Sequence, residues 1–285
     1  MWTFGQQVVN GLVVGMGYSI FAMGLTLIFG MMRVINMAHG EFFMMGAMLI
    51  FTMTAVLHVP FFLALIFAAA IVALFSVIFD RIAVQPLLNT QPLNVMISSM
   101  AISVIMVNLA TIVWNTDTRI IPTPFSGQYT FAGVTISQTA LVLSLIGIVA
   151  LVALWFFIEK TATGRIMRAV AQDETGAALI GINVRAIYSI TIAVSGALAA
   201  IAGGIIGPIW SAFPTMGENI LLKGFAVIIV AGMGSARGAV LVGLGLGVSE
   251  ALFGQYVSTA YTSAFAFSLL VLMCLIRPQG IFKNA

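Results

Sequence analysis

The 285 residues are 61% hydrophobic and only 7% charged, with a formal net charge of +3, whereas a typical soluble domain has about 25% charged residues. A water-exposed surface of this size would need more charge than the chain contains, so lipid must be the solvent for most of the surface. The composition therefore excludes an ordinary soluble domain and predicts an all-α, polytopic transmembrane helix bundle.

Nine apolar runs follow one another along the chain and carry almost no charge. A helical span needs roughly 20 apolar residues, and six runs are about that long: residues 8–32, 60–79, 93–114, 139–158, 186–206 and 259–276. Three shorter runs predict short spans, half-helices or re-entrant segments; they are residues 42–57, 220–233 and 239–253. We therefore expect about eight to ten membrane segments, some short or broken, in one transmembrane domain over residues 1–285.

The distribution of basic residues predicts the orientation of the chain. The first 32 residues contain neither Lys nor Arg, whereas a cleavable signal peptide needs positive charge before its apolar core, so we expect the first run to be retained as a span. With the N-terminus outside and the C-terminus inside, only Arg119 falls on an outer loop, which agrees with the enrichment of basic residues in cytoplasmic loops. The cytoplasmic side then receives Arg33, Arg81, Lys160, Arg165, Arg168, Arg185, Arg237, Arg277 and Lys283.

A polar motif, Asn36-Met37-Ala38-His39-Gly40-Glu41, separates the first two runs and is expected near the inner interface. Its amide, imidazole and carboxylate are costly in lipid unless they are paired or hydrated. In a structural interpretation, Asn36 caps the following helix and Glu41 stabilises the first turn through the helix dipole. In a functional interpretation, Asn36, His39 and Glu41 line or gate a water-accessible passage. The two roles are compatible.

Two extramembrane segments are long enough to have structure of their own. The outer loop, residues 115–138, contains two prolines and two glycines, and the alternation within residues 129–136 predicts a short hairpin. The cytoplasmic segment, residues 159–185, places Arg165 and Arg168 on one stripe and apolar residues on another. That spacing predicts a short amphipathic helix lying under the membrane.

Motifs for bond chemistry are missing from the sequence. A Walker-type phosphate loop needs Gly directly before Lys, and no lysine here follows a glycine, so ATP hydrolysis of that kind would require another polypeptide. His39 and His58 form no His-Glu-x-x-His motif, and we expect no metal site. An intramembrane serine protease would use Ser195, but Ala193 breaks the Gly-x-Ser-Gly pattern, so Ser195 is interpreted as a small packing residue.

Two further features lie in the last third of the chain. Glu250 is inside the eighth run, where a carboxylate at the bilayer centre would cost about 2.5 to 3.5 kcal/mol. We expect it to face protein or water, either with Lys223 as a structural partner or in a translocation role. The linker at residues 232–238 contains three glycines, including Gly232 and Gly234, and these permit the sharp turns that broken helices need.

Four groups of motifs, in order along the chain, carry a family resemblance. They are Gly24-Leu25-Thr26 with the motif at residues 36–41; Gly164-Arg165, Arg168-Ala169, Ala171-Gln172-Asp173 and Gly181-Ile182-Asn183; Gly232-Met233-Gly234-Ser235, Gly238-Ala239 and Glu250-Ala251-Leu252; and Arg277-Pro278-Gln279-Gly280-Ile281-Phe282. Together they resemble the permease subunits of branched-chain amino acid ABC importers, and the similarity runs through nearly the whole chain.

The resemblance implies a permease subunit of an ATP-driven importer in the bacterial cytoplasmic membrane, working by alternating access and performing no bond chemistry. Its expected partners are a sister permease, cytoplasmic ATPases and an external substrate-binding protein, with no cofactor and no nucleic acid. The residues expected to couple to the ATPases are Gly164, Arg165, Arg168, Ala169, Asp173 and Gly181. The candidates for the translocation pathway or its gates are Asn36, His39, Glu41, Gly232, Gly234 and Glu250.

Two other functions remain open at this level. A related class of permeases imports urea or short amides with overlapping motifs, and substrate choice in such systems rests largely on the binding protein. A secondary transporter or channel driven by an ion gradient should instead cluster titratable residues at the middle of the membrane. Glu41 and Glu250 are expected nearer the ends of their spans, which favours the ATP-driven interpretation.

Overall fold

The computed structural model describes residues 2–88, 90–131, 133–277 and 279–282. Its α-helices are α1 (Trp2–Met32), α2 (His39–Phe51), α3 (Phe61–Phe79), α4 (Pro92–Trp114), α5 (Gln138–Lys160), α6 (Ala162–Gln172), α7 (Glu174–Leu179), α8 (Val184–Trp210), α9 (Met216–Ala231), α10 (Ala236–Tyr256) and α11 (Thr262–Ile276). Two strands, β1 (Gln128–Phe131) and β2 (Val134–Ser137), form a hairpin before α5. Short π-helical turns continue α2 (Thr52–Val56) and α3 (Asp80–Val84), and 3-10 turns occupy Gln85–Leu87 and Thr259–Tyr261.

Eight helical segments in the described part of the chain are long and apolar enough to cross a membrane. They are Phe4–Met32, His39–Val56, Phe61–Leu87, Pro92–Trp114, Gln138–Lys160, Val184–Trp210, Ala236–Tyr256 and Thr259–Ile276. The predicted polytopic helix bundle is therefore confirmed. The predicted run 220–233 forms α9, whose 16 residues extend about 24 Å, which is less than the roughly 30 Å hydrocarbon core.

Two runs that were predicted to be too short lie in longer helices. The second helical segment begins at His39 instead of residue 42 and continues through its π-helical turn. Likewise, α10 extends beyond residues 239–253 at both ends. Hydropathy missed the first of these boundaries because His39 and Glu41 are polar, yet both are buried against protein, so the helix continues without exposing them to lipid.

The centre of the bundle is formed by α1 and α8, the two most fully buried spans. Helix α10 packs closely along α1, and a Cβ atom at Gly243 would lie 2.6 Å from Ser19 Oγ and 2.8 Å from the Ser19 amide nitrogen. Glycine permits this approach, as is common between membrane helices. The peripheral helices α4, α5 and α11 expose apolar side chains along most of their lengths, which leaves these faces for lipid or a partner.

One end of the bundle carries the hairpin. The Gln6 side-chain amide pairs with the backbone of Thr135 in both directions, each hydrogen bond being 2.8 Å long, so the hairpin lies against the start of α1. The antiparallel pairing of β1 with β2 confirms the hairpin predicted at residues 129–136. Ala132, between the strands, lies outside the described residues.

The opposite end carries α6, α7 and most of the positive charge. There the Ile281 amide donates to the Val230 carbonyl at 2.9 Å, so the last described segment covers the end of α9. The basic residues near this end are Arg33, Arg81, Lys160, Arg165, Arg168, Arg185, Arg237 and Arg277. Pro278, from the C-terminal motif, and Lys283, from the predicted cytoplasmic charge, lie outside the described residues.

Candidate functional site

The polar motif at residues 36–41 returns into the bundle. After α1 ends, residues 33–38 run back beside it without helical structure. At the start of α2, His39 Nε2 lies 3.4 Å from the Phe21 carbonyl oxygen, and its Nδ1 lies 3.4 Å from Ser195 Oγ. Phe21 and Ser195 are interior residues of α1 and α8. The expected position near the inner interface is therefore wrong, because α2 begins beside the middle of two long spans.

Helix α9 begins at the same point. A Cβ atom at Gly217 would lie 2.6 Å from the Gly40 carbonyl oxygen and 2.9 Å from Glu41 Oε2, so the first turns of α2 and α9 are in backbone contact. Each of these turns carries one acidic residue, Glu41 in α2 and Glu218 in α9. The partial positive charge at a helix N-terminus stabilises nearby carboxylates, which lowers the cost of burying Glu41 inside the bundle.

A cavity of about 320 Å³ lies between α4 and the two helix starts. It is lined by Met37, Glu41, Met100, Ser103, Val104, Val107, Asn108, Thr215, Glu218 and Leu221. This volume is at the lower end of the range for sites that bind small molecules, roughly 300 to 1,000 Å³. Mixed polar and apolar walls of this size suit a small amphipathic solute.

Glu41 is held in place with one oxygen left unpaired. Its side chain is 2% exposed, and Oε1 accepts a hydrogen bond of 3.0 Å from Ser103 Oγ on α4. Its Oε2 has no hydrogen-bond partner in the described part of the chain. A buried acceptor without a partner carries a free-energy penalty of about 1 to 3 kcal/mol or more, so a donor that reached this atom would remove that penalty.

Asn36 stabilises the approach to α2. Its Oδ1 accepts a hydrogen bond of 2.9 Å from the Ala38 amide, which is the local turn that Asn side chains favour. The N-cap residue of α2 is Ala38, without a side-chain cap. Asn36 therefore does not cap the helix as expected, and its side chain instead forms a turn just before the N-cap. Glu41 occupies the first turn of α2, as expected.

His39 and Ser195 lie inside the protein, away from the cavity. Both side chains are 0% exposed, and Ser195 Oγ donates to the Gly24 carbonyl at 2.8 Å. At 0% exposure, this hydroxyl is not accessible to a substrate in the described part of the chain. The geometry matches the packing interpretation of Ser195 and makes His39 an anchor between α1, α2 and α8.

Glu250 belongs to a buried ionic cluster. Lys223 Nζ donates to Glu250 Oε2 at 2.9 Å and to Tyr18 Oη at 2.8 Å, while Tyr18 Oη donates to Glu250 Oε2 at 2.7 Å. The Lys223 ammonium also lies 5.1 Å from the ring centroids of Tyr18 and Trp210, a distance that permits cation–π attraction. The cluster joins α1, α9 and α10. Lys223 is therefore the structural partner of Glu250, as one of the two interpretations of Glu250 predicted.

The glycine linker lies at the basic end of the bundle. Gly232 and Gly234 have φ angles of 95° and 94°, which glycine adopts without the steric cost that other residues meet. The linker borders a second cavity, of about 700 Å³, together with Arg33, Arg237 and the end of α1. Gly232 and Gly234 are therefore separated along α1 from the cavity at Glu41.

The segment after α5 folds into two short helices with side-chain caps. The Thr161 hydroxyl accepts from the Gly164 amide at 3.0 Å, and Asp173 Oδ1 accepts from the Gly176 amide at 2.9 Å, so α6 and α7 both begin at a capping residue. The predicted amphipathic helix is thus confirmed as α6. Gly181, after α7, has a φ angle of 86°.

Helix α6 is tied to the end of α5. The Arg168 guanidinium donates to the Ile158 carbonyl and lies 3.4 Å from Glu159 Oε2. Gly164 packs against the same end of α5, where a Cβ atom would collide with backbone carbonyl oxygens. Arg165 and Ala169 face solvent. The candidate coupling residues therefore lie in one segment at the basic end, with Gly164 buried against α5, whereas the candidate pathway residues occupy three separate places.

The sequence matches, over residues 7–274, the family described as branched-chain amino acid transport system, permease component. The chain belongs to this permease family. Its relatives include LivH of Escherichia coli K12, which is 32% identical over 292 aligned residues covering 98% of this chain and 95% of LivH. BraD of Pseudomonas aeruginosa is 34% identical over 290 residues, covering 97% of this chain and 94% of BraD. Both are described as high-affinity branched-chain amino acid transport system permease proteins.

A solved structure supports the fold of the permease. PsaBC from Streptococcus pneumoniae in complex with Fab matches with a TM-score of 0.51 and 13% sequence identity, covering 96% of this chain and 92% of that chain. At this identity only the fold is shared. The family membership favours the permease interpretation over the ion-coupled transporter, the channel and the urea or amide permease, and it identifies a transport component rather than an enzyme.

Sequence reasoning missed several polar residues of the permease. Glu218, Ser103 and Asn108 line the cavity at Glu41 but were not singled out. Glu218 had a usable signal, because it precedes the short seventh run as Glu41 precedes the second. Asp80 was also missed, although its fully buried Oδ2 accepts hydrogen bonds from Ser189 and Gln85 at 2.7 and 2.8 Å.

Proposed function

We propose that this permease forms one half of the membrane pore of an ATP-driven importer for branched-chain or similar aliphatic amino acids. The observation that carries the proposal is the similarity over nearly the whole chain to permeases of branched-chain amino acid transport systems. The cavity between α2, α4 and α9 suits this role, because carboxylates and apolar side chains share its walls.

A sister permease would complete the passage. The cavity opens beside α4, a helix whose apolar residues are largely exposed in the isolated chain. Broken or short helices that start near the middle of the membrane commonly form transporter sites, and the starts of α2 and α9 have this arrangement. A second subunit packed against α4 would enclose the solute between the two chains.

ATP hydrolysis is assigned to cytoplasmic partner subunits, because this sequence has no Gly-Lys pair for a Walker loop. The end that carries α6 and α7 also carries most of the basic residues. Since basic residues favour the cytoplasmic side, we place this end and the C-terminus in the cytoplasm of a bacterial cell and the hairpin and N-terminus outside. A substrate-binding protein would then deliver the solute at the hairpin end.

In this mechanism of alternating access, ATPase closure moves α6 and the motion reaches the cavity through α1 and α8. Helix α6 is joined to α5 by Arg168 and also packs against α1 and α8. His39 lies between α1 and α8 at the start of α2. A shift of α1 relative to α8 would therefore move Glu41, two residues further along, relative to α9.

Reversing the charge of Arg168 is expected to separate ATP hydrolysis from uptake. In Arg168→Glu, a carboxylate would replace the donor that faces the Ile158 carbonyl and Glu159, so α6 loses this side-chain contact with the end of α5. Losing one charge-assisted hydrogen bond corresponds to a factor of roughly ten, and we expect uptake per ATP hydrolysed in proteoliposomes to fall by about that factor. Arg185→Glu, at the start of α8, is the charge-matched control and should stay near wild type. Equal ratios for Arg168→Glu and wild type would contradict the coupling role.

The subunit composition can be tested by affinity purification in mild detergent. A tagged copy of this chain, expressed in its native host, should bring along an ATPase and a homologous or identical permease. Deleting the gene should abolish high-affinity uptake of labelled leucine, isoleucine or valine and leave urea uptake unchanged. Recovery of a lone chain that transports by itself would refute the proposal.

A further inference from the structure

The cavity between α2, α4 and α9 is lined by oxygen acceptors without a cation. Its ten lining residues include Glu41, Glu218 and Asn108 but no Lys, Arg or His. Asn108 uses its Nδ2 to donate to the Val104 carbonyl at 2.7 Å, which leaves its amide oxygen free to accept. The cavity is therefore electrostatically suited to a positively charged donor group and unsuited to an anion.

Glu41 points to a ligand independently of this acidic character. It is 2% exposed and its Oε2, which has no partner in the described residues, lies at the start of α9 beside Gly217. The neighbouring residue along the chain is Glu218, which also lines the cavity. Ser103 holds the other oxygen of Glu41 at 3.0 Å, so the orientation of the free oxygen is fixed before any ligand arrives.

Five of the ten residues that line the cavity are apolar. They are methionine, valine and leucine residues, namely Met37, Met100, Val104, Val107 and Leu221. Water's share of liquid volume is about 30 Å³ per molecule, so 320 Å³ corresponds to roughly ten waters. A small solute with an aliphatic side chain fits this space.

We propose that this cavity is a binding subsite for the ammonium group of an aliphatic amino acid, held between Glu41 and Glu218 with the side chain against Val104 and Val107 of α4. The proposal rests on the proposed function and deepens it by assigning recognition of the solute to the permease itself. An ammonium has three donors, and the Glu41 and Glu218 carboxylates and the Asn108 amide oxygen supply acceptors among the residues that line the cavity. A neutral amide such as urea would lack the charge that this set of acceptors favours.

The test is equilibrium binding to the intact permease–ATPase complex in lipid nanodiscs, without the binding protein and without nucleotide. Three probes distinguish recognition of the ammonium from recognition of the carboxylate. They are L-leucine, which has both groups, 3-methylbutylamine, which has only the ammonium, and 4-methylpentanoate, which has only the carboxylate. Leucine and the amine should bind, and the acid should not. Glu218→Gln should weaken binding of both amines by roughly tenfold, the effect of one hydrogen bond to a charged group.

The variants are chosen so that misfolding cannot imitate the result. Glu218 and Asn108 are exposed, so Glu218→Gln and Asn108→Leu should preserve the elution profile of the complex, whereas Glu41→Gln is interpreted only if its profile is unchanged. Asp117→Asn, in the hairpin-side loop, is the carboxylate control and should bind as wild type does. Equal binding by Glu218→Gln and wild type, or tighter binding of the acid than of the amine, would overturn the subsite.

An outcome that overturns the subsite can be distinguished from one that overturns the proposed function. If the wild-type complex imports leucine with ATP but the Glu218→Gln and Asn108→Leu variants bind and import like wild type, only the subsite is wrong. If the wild-type complex imports no aliphatic amino acid, the proposed function fails, and binding of the amine probe would then still report whether the cavity recognises ammonium.

Discussion

Replacing Lys223 with methionine is expected to destabilise the folded permease by about 3 to 5 kcal/mol, the usual cost of leaving one member of a buried ion pair alone. Lys223 and Glu250 are each 7% exposed, and their charged atoms are 2.9 Å apart. Without the ammonium, the Glu250 carboxylate keeps, among the described residues, only the Tyr18 hydroxyl as a donor. The measurement is the unfolding midpoint in mixed micelles of increasing SDS fraction, followed by tryptophan fluorescence.

A double variant separates the isolated charge from lost packing. Lys223→Met combined with Glu250→Met removes both charges at similar volume, and replacing a buried pair in this way is often neutral or stabilising, so most of the lost stability should return. Lys160→Met, at the exposed end of α5, is the matched control and should shift the midpoint little. If the double variant is as unstable as Lys223→Met alone, the ionic cluster is not what joins α1, α9 and α10.

A leucine at Gly243 is expected to disrupt the contact between α1 and α10. Even a Cβ atom there would lie 2.6 to 2.8 Å from atoms of Ser19, so the helices must separate. Overpacking a well-packed interior typically costs about 1 to 3 kcal/mol, and here the obstacle is backbone that cannot rotate away. We expect a lower yield of folded protein and a lower SDS midpoint, measured by the same fluorescence assay.

Gly245, on the same helix, provides the control. A Cβ atom at Gly245 meets nothing within 4 Å, and leucine has a higher helix propensity than glycine, so Gly245→Leu should be neutral or slightly stabilising. Equal loss in Gly243→Leu and Gly245→Leu would indicate a general intolerance of bulk on α10 and contradict the close packing against Ser19.

Much of the fold follows from properties that are local in sequence. Each pattern lies within a short segment and predicts the structure of that segment. The apolar runs predict membrane spans, the alternation at residues 129–136 predicts a hairpin, and the stripe containing Arg165 and Arg168 predicts a surface helix. The return of residues 33–38 into the bundle is not local. It depends on contacts of His39 with α1 and α8, which no hydropathy pattern contains.

In the candidate site, too, the sequence predicted the features that are local and missed those that depend on distant contacts. Glu41 was identified because a carboxylate beside an apolar run is costly, but its depth was misjudged, since the start of α2 is set by contacts with distant helices. Ser103 and Asn108 were indistinguishable from ordinary polar residues within a long apolar span. Their role as cavity residues follows from the way α4 packs beside the starts of α2 and α9.

The long central helices α1 and α8 connect the cavity at Glu41 with the basic end of the bundle in the proposed mechanism. Glu41 in the cavity wall lies two residues beyond His39, which contacts α1 and α8, and α6, which carries the proposed coupling residues, packs against the same two helices at the basic end. Relative motion of α1 and α8 is therefore the step that both parts share. A cross-link that fixes these helices should block uptake even when ATP hydrolysis continues.

The most direct test of the account is ATP-dependent uptake in proteoliposomes that contain the complex co-purified with this permease. With the native binding protein outside and ATP inside, labelled leucine should accumulate, and omitting ATP or the binding protein should abolish accumulation while an imposed proton or sodium gradient does not replace them. Accumulation driven by an ion gradient without ATP, or by this chain alone, would contradict the account.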